Sequence, residues 1–248
     1  MHSIFGTKHL IILAVTVAAI VCLYLLSRRV SFSKLTKVML YVGIVSEIIK
    51  IFYYTIANEE THGGILPKTD LPFHLCSIQI IFLLILNVST NEKLKRFLLS
   101  FMFPSCLIGG AAAILIATTS SLNGGWILTL QYFGYHAAIM IFALRIPASF
   151  EGRLTVKDYF SCLKFLLLLM FFAFYINSIV YDGASNINFM YVASPPQSGL
   201  PFLNEEHGWV VYIAHYAFLV LFCVSACYAA PIYRAIRARL GKQKKDNE

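Results

Sequence analysis

The apolar residues of this chain fall into seven blocks, at 8–27, 37–57, 71–88, 97–118, 126–145, 159–181 and 208–231, separated by short charged stretches. A helix needs about 20 mainly apolar residues to cross the hydrocarbon of a bilayer, and each block has roughly that length. Lipid offers no partner to a backbone N–H or C=O, so a crossing block must be a helix or part of a closed barrel. No barrel-type alternation occurs, which leaves helices. Composition agrees: 58% of the 248 residues are hydrophobic and 13% are charged, about half the charge of a soluble domain. A soluble enzyme, a disulfide-stapled secreted domain and a disordered tail are all excluded. Arg28 and Arg29 follow the first block directly, with no small-residue cleavage site, so it reads as an uncleaved first helix.

The charges orient the chain. Of its 20 Lys and Arg residues, 17 lie in or beside the connections after the first, third and fifth blocks and in the tail. The opposite connections hold Glu59, Glu60, Asp70, Asp182, Glu205 and Glu206, with Lys68 as their one basic residue. Positive connections stay in the cytoplasm. The expected fold is therefore an all-α polytopic membrane protein of seven transmembrane helices, N-terminus outside and C-terminus cytoplasmic. Residues 1–233 form a single domain, and 234–248 form a basic tail suited to anionic headgroups. The net charge of +8 marks a membrane face, and no nucleic-acid partner is implied. Two outer connections stand out. The one at 58–70 reads as solvated and mobile. The longer one at 182–207 carries its own aromatic and apolar residues, which suits either a lid over a site or an ordinary cap.

Ionisable side chains within a span are costly and mark function by default. Glu47 and Lys50 lie three apart on one face of the second block and read first as a structural ion pair turned into the bundle. The third block opens Asp70-Leu71-Pro72, an acidic cap with proline in the first turn. On a helix begun there, Cys76 and Gln79 share a face, Cys76 sits about 8 Å in, and His74 points about 200° away from it. The fifth block holds Gln131, Tyr132 and His136, the sixth Asn177, and the seventh Tyr212 and His215. All lie toward the outer side, which predicts a polar pocket opening to the outer leaflet. One such histidine is usually a packing residue; three at similar depth with a thiol and amides carry more weight.

A thiol alone in lipid stays protonated and inert, so it needs an imidazole beside it. Cys76 is the candidate nucleophile and His136 its base, with His215 and His74 in reserve and Tyr132 on the face of His136. Gln79, Asn177 and Asn188 are candidate donors to an oxyanion. The six cysteines show neither zinc spacing nor an extracellular staple, and no metal or cofactor is expected. Retinal would need a lysine in the seventh block, which has none, and no G-x-S-x-G elbow is present. A second function uses the same pocket without chemistry: a small-molecule transporter or receptor whose working charges are Glu47 and Lys50.

From LPFHLC onward the sequence resembles the YwaF-type bacterial integral membrane family, which is similar to the eukaryotic transmembrane protein 164 acyltransferases. The resemblance extends over most of the chain. It includes the H-L-C start of the third helix, His136 in the fifth, and NINFMYV at 186–192 with its trailing prolines and Trp209. The Gly-Pro-Trp-Pro-Trp-like run of relatives is replaced before the seventh helix by EEHGWVVY. The resemblance implies a thiol-dependent acyltransferase of the bacterial cytoplasmic membrane that acts on phospholipids. Cys76 would carry the acyl group as a thioester and His136 would be the base.

Overall fold

The structure is a computed structural model that describes residues 5–57, 64–150, 153–183, 187–195, 203–204 and 206–246. Among them are nine α-helices and no β-strand: α1 Thr7–Ser27, α2 Phe32–Phe52, α3 Leu75–Val88, α4 Glu92–Leu115, α5 Thr119–Asn123, α6 Gly125–Ser149, α7 Val156–Val180, α8 Trp209–Cys227 and α9 Ala229–Asp246. Residues 58–63, on which the expected mobility of the first outer connection chiefly rests, lie outside the described residues.

Five helices, α1, α4, α6, α7 and α8, are long and apolar enough to cross a membrane. Two of the seven expected blocks fall short of that standard. The second, α2, has the length but carries Lys34, Lys37, Glu47 and Lys50. The third, α3, has only 14 residues, about 21 Å of rise. Its start is the reason. Leu71 precedes Pro72 and is extended, with ψ 148°, because the proline ring disfavours a helical residue before it. Lys68–Asp70 forms a single 3₁₀ turn instead, and the Phe73 amide bonds back to Leu71 O at 2.7 Å. The helix therefore begins at Leu75, not at Asp70, and His74 is its extended N-cap residue (φ −70°, ψ 151°).

Other helix starts follow local chemistry directly. Asn91 Oδ1 accepts from the Lys93 and Leu94 amides at 3.0 and 3.1 Å. Thr155 and Asp158 form a reciprocal capping box at α7, which satisfies amides that no preceding turn can reach.

The bundle is centred on α4 and α6. About half of each apolar window is buried there (56% and 50%), against 11% in α1, α7 and α8. Gly110 permits the close approach of the central pair. A Cβ at that position would meet Met140 Cγ at 2.6 Å and the His136 carbonyl at 3.1 Å. Leu83, Phe101, Met102, Phe142, Ala143 and Ile146 are fully buried in the core. The peripheral helices turn Val15, Leu168, Phe171, Phe218 and Phe222 outward, an apolar shell suited to hydrocarbon.

Polar contacts mark the two ends. At one, Arg145 donates to the Ser27 and Val30 carbonyls. Arg96 makes a two-bond pair with Asp158 at 2.8 and 2.7 Å, and Arg234 donates to Leu154 O at 3.0 Å. At the other end Lys68 pairs with Asp182 at 2.8 Å, the Tyr53 hydroxyl donates to Gly124 O, and Trp209 Nε1 donates to Val192 O at 3.0 Å. The seven longer helices from α1 to α8 thus alternate in direction between a basic end and an opposite end. The candidate site lies toward the second.

Candidate active site

Cys76 occupies the first turn of α3, directly after the His74 N-cap. No side chain caps this helix, so the first amides, those of Leu75, Cys76 and Ser77, have no intrahelical acceptor. As a residue Cys76 is half-buried, whereas Cys106 one helix away is 1% exposed. All six cysteines are free.

His136 lies on α6 and is 7% exposed. Its Nδ1 is 2.6 Å from the carbonyl oxygen of Tyr132, one turn earlier. A carbonyl only accepts, so Nδ1 carries the proton and Nε2 presents its lone pair. The imidazole packs against the rings of Tyr132 and Tyr135, with centroids at 4.3 and 5.9 Å. The Tyr135 hydroxyl in turn donates to the Cys76 carbonyl at 2.8 Å. Both phenols lie within electrostatic reach of the Cys76 thiol. Cys76 and His136 therefore share two neighbours, but no hydrogen bond joins them among the described residues. Thiol–imidazole contacts are often long in the unliganded state.

His74 is placed differently from the helical expectation. Its Nε2 donates to Thr69 O at 3.2 Å, holding the turn before α3, and its ring packs on Phe189 and Tyr191 with centroids at 5.1 and 5.9 Å. It is within electrostatic reach of His136 and of the Glu47–Lys50 pair. That pair closes at 2.8 Å, and Ser77 Oγ donates to Glu47 Oε1 at 2.9 Å. The ion pair of α2 is thereby tied to the residue next to Cys76. His215 stands apart: it is exposed on the outer face of α8.

The amides are engaged elsewhere than at the thiol. Gln79 Nε2 donates to Leu75 O at 3.2 Å and Ser105 Oγ at 3.1 Å. Its Oε1 is the one buried side-chain polar atom without a hydrogen bond among the described residues. Asn177 brackets Phe189, accepting from its amide at 2.8 Å and donating to its carbonyl at 3.3 Å. Asn188 folds its own loop, accepting from the Ala193 and Ser194 amides and donating to Ser194. The two asparagines thus shape segment 187–194, which packs inward over His74 with Ile187, Phe189, Met190 and Val192 all buried. An open groove of about 580 Å³ lies on another side of this segment, lined by Phe174, Asn177, Tyr181, Val192 and Trp209 among others. Neither Cys76 nor His136 lines it.

Sequence reasoning passed over Tyr135, Ser77, Ser105 and Tyr191. Tyr135 and Ser77 each adjoin a residue it singled out, and Tyr191 lies within NINFMYV.

Residues 4–228 match the sequence model of the TMEM164 family. No curated protein and no solved structure matches the chain.

Proposed function

The chain belongs to the TMEM164 family, and from that premise we propose that it is an integral-membrane acyltransferase that moves a fatty acyl group between phospholipids through a thioester on Cys76. The helices α1, α2, α3, α4, α6, α7 and α8 make seven crossings, with the N-terminus outside and the basic tail in the cytoplasm. The site then faces the outer leaflet of the cell membrane. One observation carries the reading above the others: His136 holds its proton on Nδ1, facing Tyr132, and so leaves Nε2 as a base in the cluster that contains Cys76.

The chemistry follows from those two groups. Nε2 of His136 takes the thiol proton as sulfur attacks the ester carbonyl carbon. The tetrahedral intermediate collapses, the C–O bond to the glycerol oxygen breaks, and that oxygen leaves with the proton returned by His136. A hydroxyl of a second lipid then attacks the thioester, gives its proton to His136, and the thiol is regenerated. The uncapped amides at the start of α3 supply N–H groups where negative charge develops on the carbonyl oxygen. Glu47 and Lys50 stay a structural pair that holds α3 through Ser77.

The purified protein, given phospholipid with a labelled acyl chain, should acquire a label released by hydroxylamine. Cys76→Ser should abolish it and His136→Gln should slow it by about 100-fold or more. A label retained in Cys76→Ser would remove the thioester mechanism.

A further inference from the structure

The segment after α7 combines two unusual features. Met190 and Tyr191 are consecutive non-glycine residues with positive φ, 57° and 54°, a region that bulky side chains rarely occupy. The same few residues are held from outside by four side chains. Asn177 bonds both the amide and the carbonyl of Phe189 at 2.8 and 3.3 Å. Tyr216 donates to Met190 O at 2.9 Å, Tyr212 to Tyr191 O at 2.5 Å and Trp209 to Val192 O at 3.0 Å. A buried loop needs partners for its carbonyls in any conformation. That need alone does not call for two left-handed residues, and strain over-determined in this way clusters where a side chain must be placed for function.

The left-handed pair turns the Tyr191 ring onto His74, with centroids 5.9 Å apart, and brings the phenol within electrostatic reach of Cys76 and Tyr132. Apart from the α3 amides, the hydroxyl and amide side chains named around the thiol are committed. The Tyr132 hydroxyl goes to Ala113 O at 3.0 Å, Tyr135 to Cys76 O, Ser77 to Glu47, and Gln79 to Leu75 and Ser105. Among the described residues the Tyr191 hydroxyl has no hydrogen bond.

We propose that Tyr191 is a further catalytic residue, whose hydroxyl donates a hydrogen bond to the acyl carbonyl oxygen as Cys76 attacks it. The proposal rests on the acyltransferase reading and adds a residue to it. When the S–C bond forms, the carbonyl π pair moves onto oxygen. The Tyr191 O–H, still holding its proton, stabilises that charge together with the α3 amides. When the intermediate collapses the pair returns to the carbonyl, so Tyr191 neither gains nor loses a proton over the step. The loop carrying it is then a built part of the site, and the four side chains that grip it are positioning residues.

The test uses the full chain in nanodiscs of phosphatidylcholine with a radiolabelled acyl chain. Two rates are followed in the wild type and Tyr191→Phe: appearance of hydroxylamine-sensitive label, and alkylation of Cys76 by N-ethylmaleimide, read by peptide mass spectrometry. Tyr191→Phe keeps the ring and its packing and removes the hydroxyl alone. Its labelling should be about 100- to 1,000-fold slower, with alkylation of Cys76 unchanged. Labelling at the wild-type rate would overturn the role of Tyr191 and leave the thioester reading standing. Alkylation that slows in parallel with labelling would also overturn it, since the hydroxyl would then be setting the thiol and not the oxyanion. A wild type that takes no label would bring down the acyltransferase reading and this role with it.

Discussion

His136 shows how one backbone bond sets the chemistry of a side chain. Tyr132 and His136 are four apart, and the sequence already places them on one helix face. That spacing does not say that the imidazole will turn back to the Tyr132 carbonyl, yet the 2.6 Å contact fixes the tautomer and so which nitrogen can act as base. Gly110 illustrates the opposite case, a residue whose role is to have no side chain. It lies against His136 O and Met140, so the placement of His136 depends on it. Gly110→Val should destabilise the protein by about 1–3 kcal/mol, the usual cost of overpacking a filled interface, as a lower melting temperature in detergent. An unchanged melting temperature would mean that α4 and α6 are not in the contact described. A glycine pair in an apolar block, Gly109-Gly110, does not by itself signal this packing role, which needs the neighbouring helix to be seen.

Among the elements, α7 is the most predictable and α3 the least. Thr155 and Asp158 sit at capping-box spacing before an apolar run, a signal that local chemistry alone makes reliable. Asp158 also accepts two bonds from Arg96 of α4, so a helix cap serves as a joint between helices. Asp158→Asn should lower stability by roughly 1–2 kcal/mol, mostly through the weakened cap. Arg96, 38% exposed in its side chain, can turn to water or headgroups and is not left as a buried charge. Thermal unfolding of the two forms checks this, and equal stability would show that the joint contributes nothing. For α3, an acid followed by proline looked like a helix start. The restriction that Pro72 places on Leu71 won instead and moved the start to Leu75. Cys76 consequently lies in the first turn, beside uncapped amides, and not about 8 Å along the helix. Segment 187–194 reads in the sequence as part of a connection with its own apolar residues, suited to a lid or a cap, and as a stretch of the family resemblance. Its inward packing follows from hydrogen bonds donated by α7 and α8, elements whose relation to it no local pattern encodes.

At the scale of the whole molecule, charge and hydrophobicity carry most of the information. The basic connections converge at one end through Arg145, Arg96 and Arg234, and the proposed orientation makes that end the cytoplasmic face. A phosphatase domain active only outside the cytoplasm should be active when fused after Pro67, and inactive when fused after Asn91 or Lys245. Activity after Asn91 would mean that the short α3 does not cross, and the reverse pattern overall would invert the orientation. All-helical architecture, a lipid-facing exterior and the grouping of charge were determined by the chain itself. Transfer of apolar residues from water and the pairing of backbone groups in lipid depend on local composition and on little else. The sequence also singled out Cys76 and His136 as candidates, through the cost of polar groups in a span and the family resemblance. The tertiary structure alone decided which groups are free to act. It committed Gln79, Asn177 and Asn188 to other partners, left His215 on the outer face, and brought Tyr191 from a distant loop onto His74. Hydrogen bonds between elements far apart in sequence set those assignments, and they are defined only once the helices have packed.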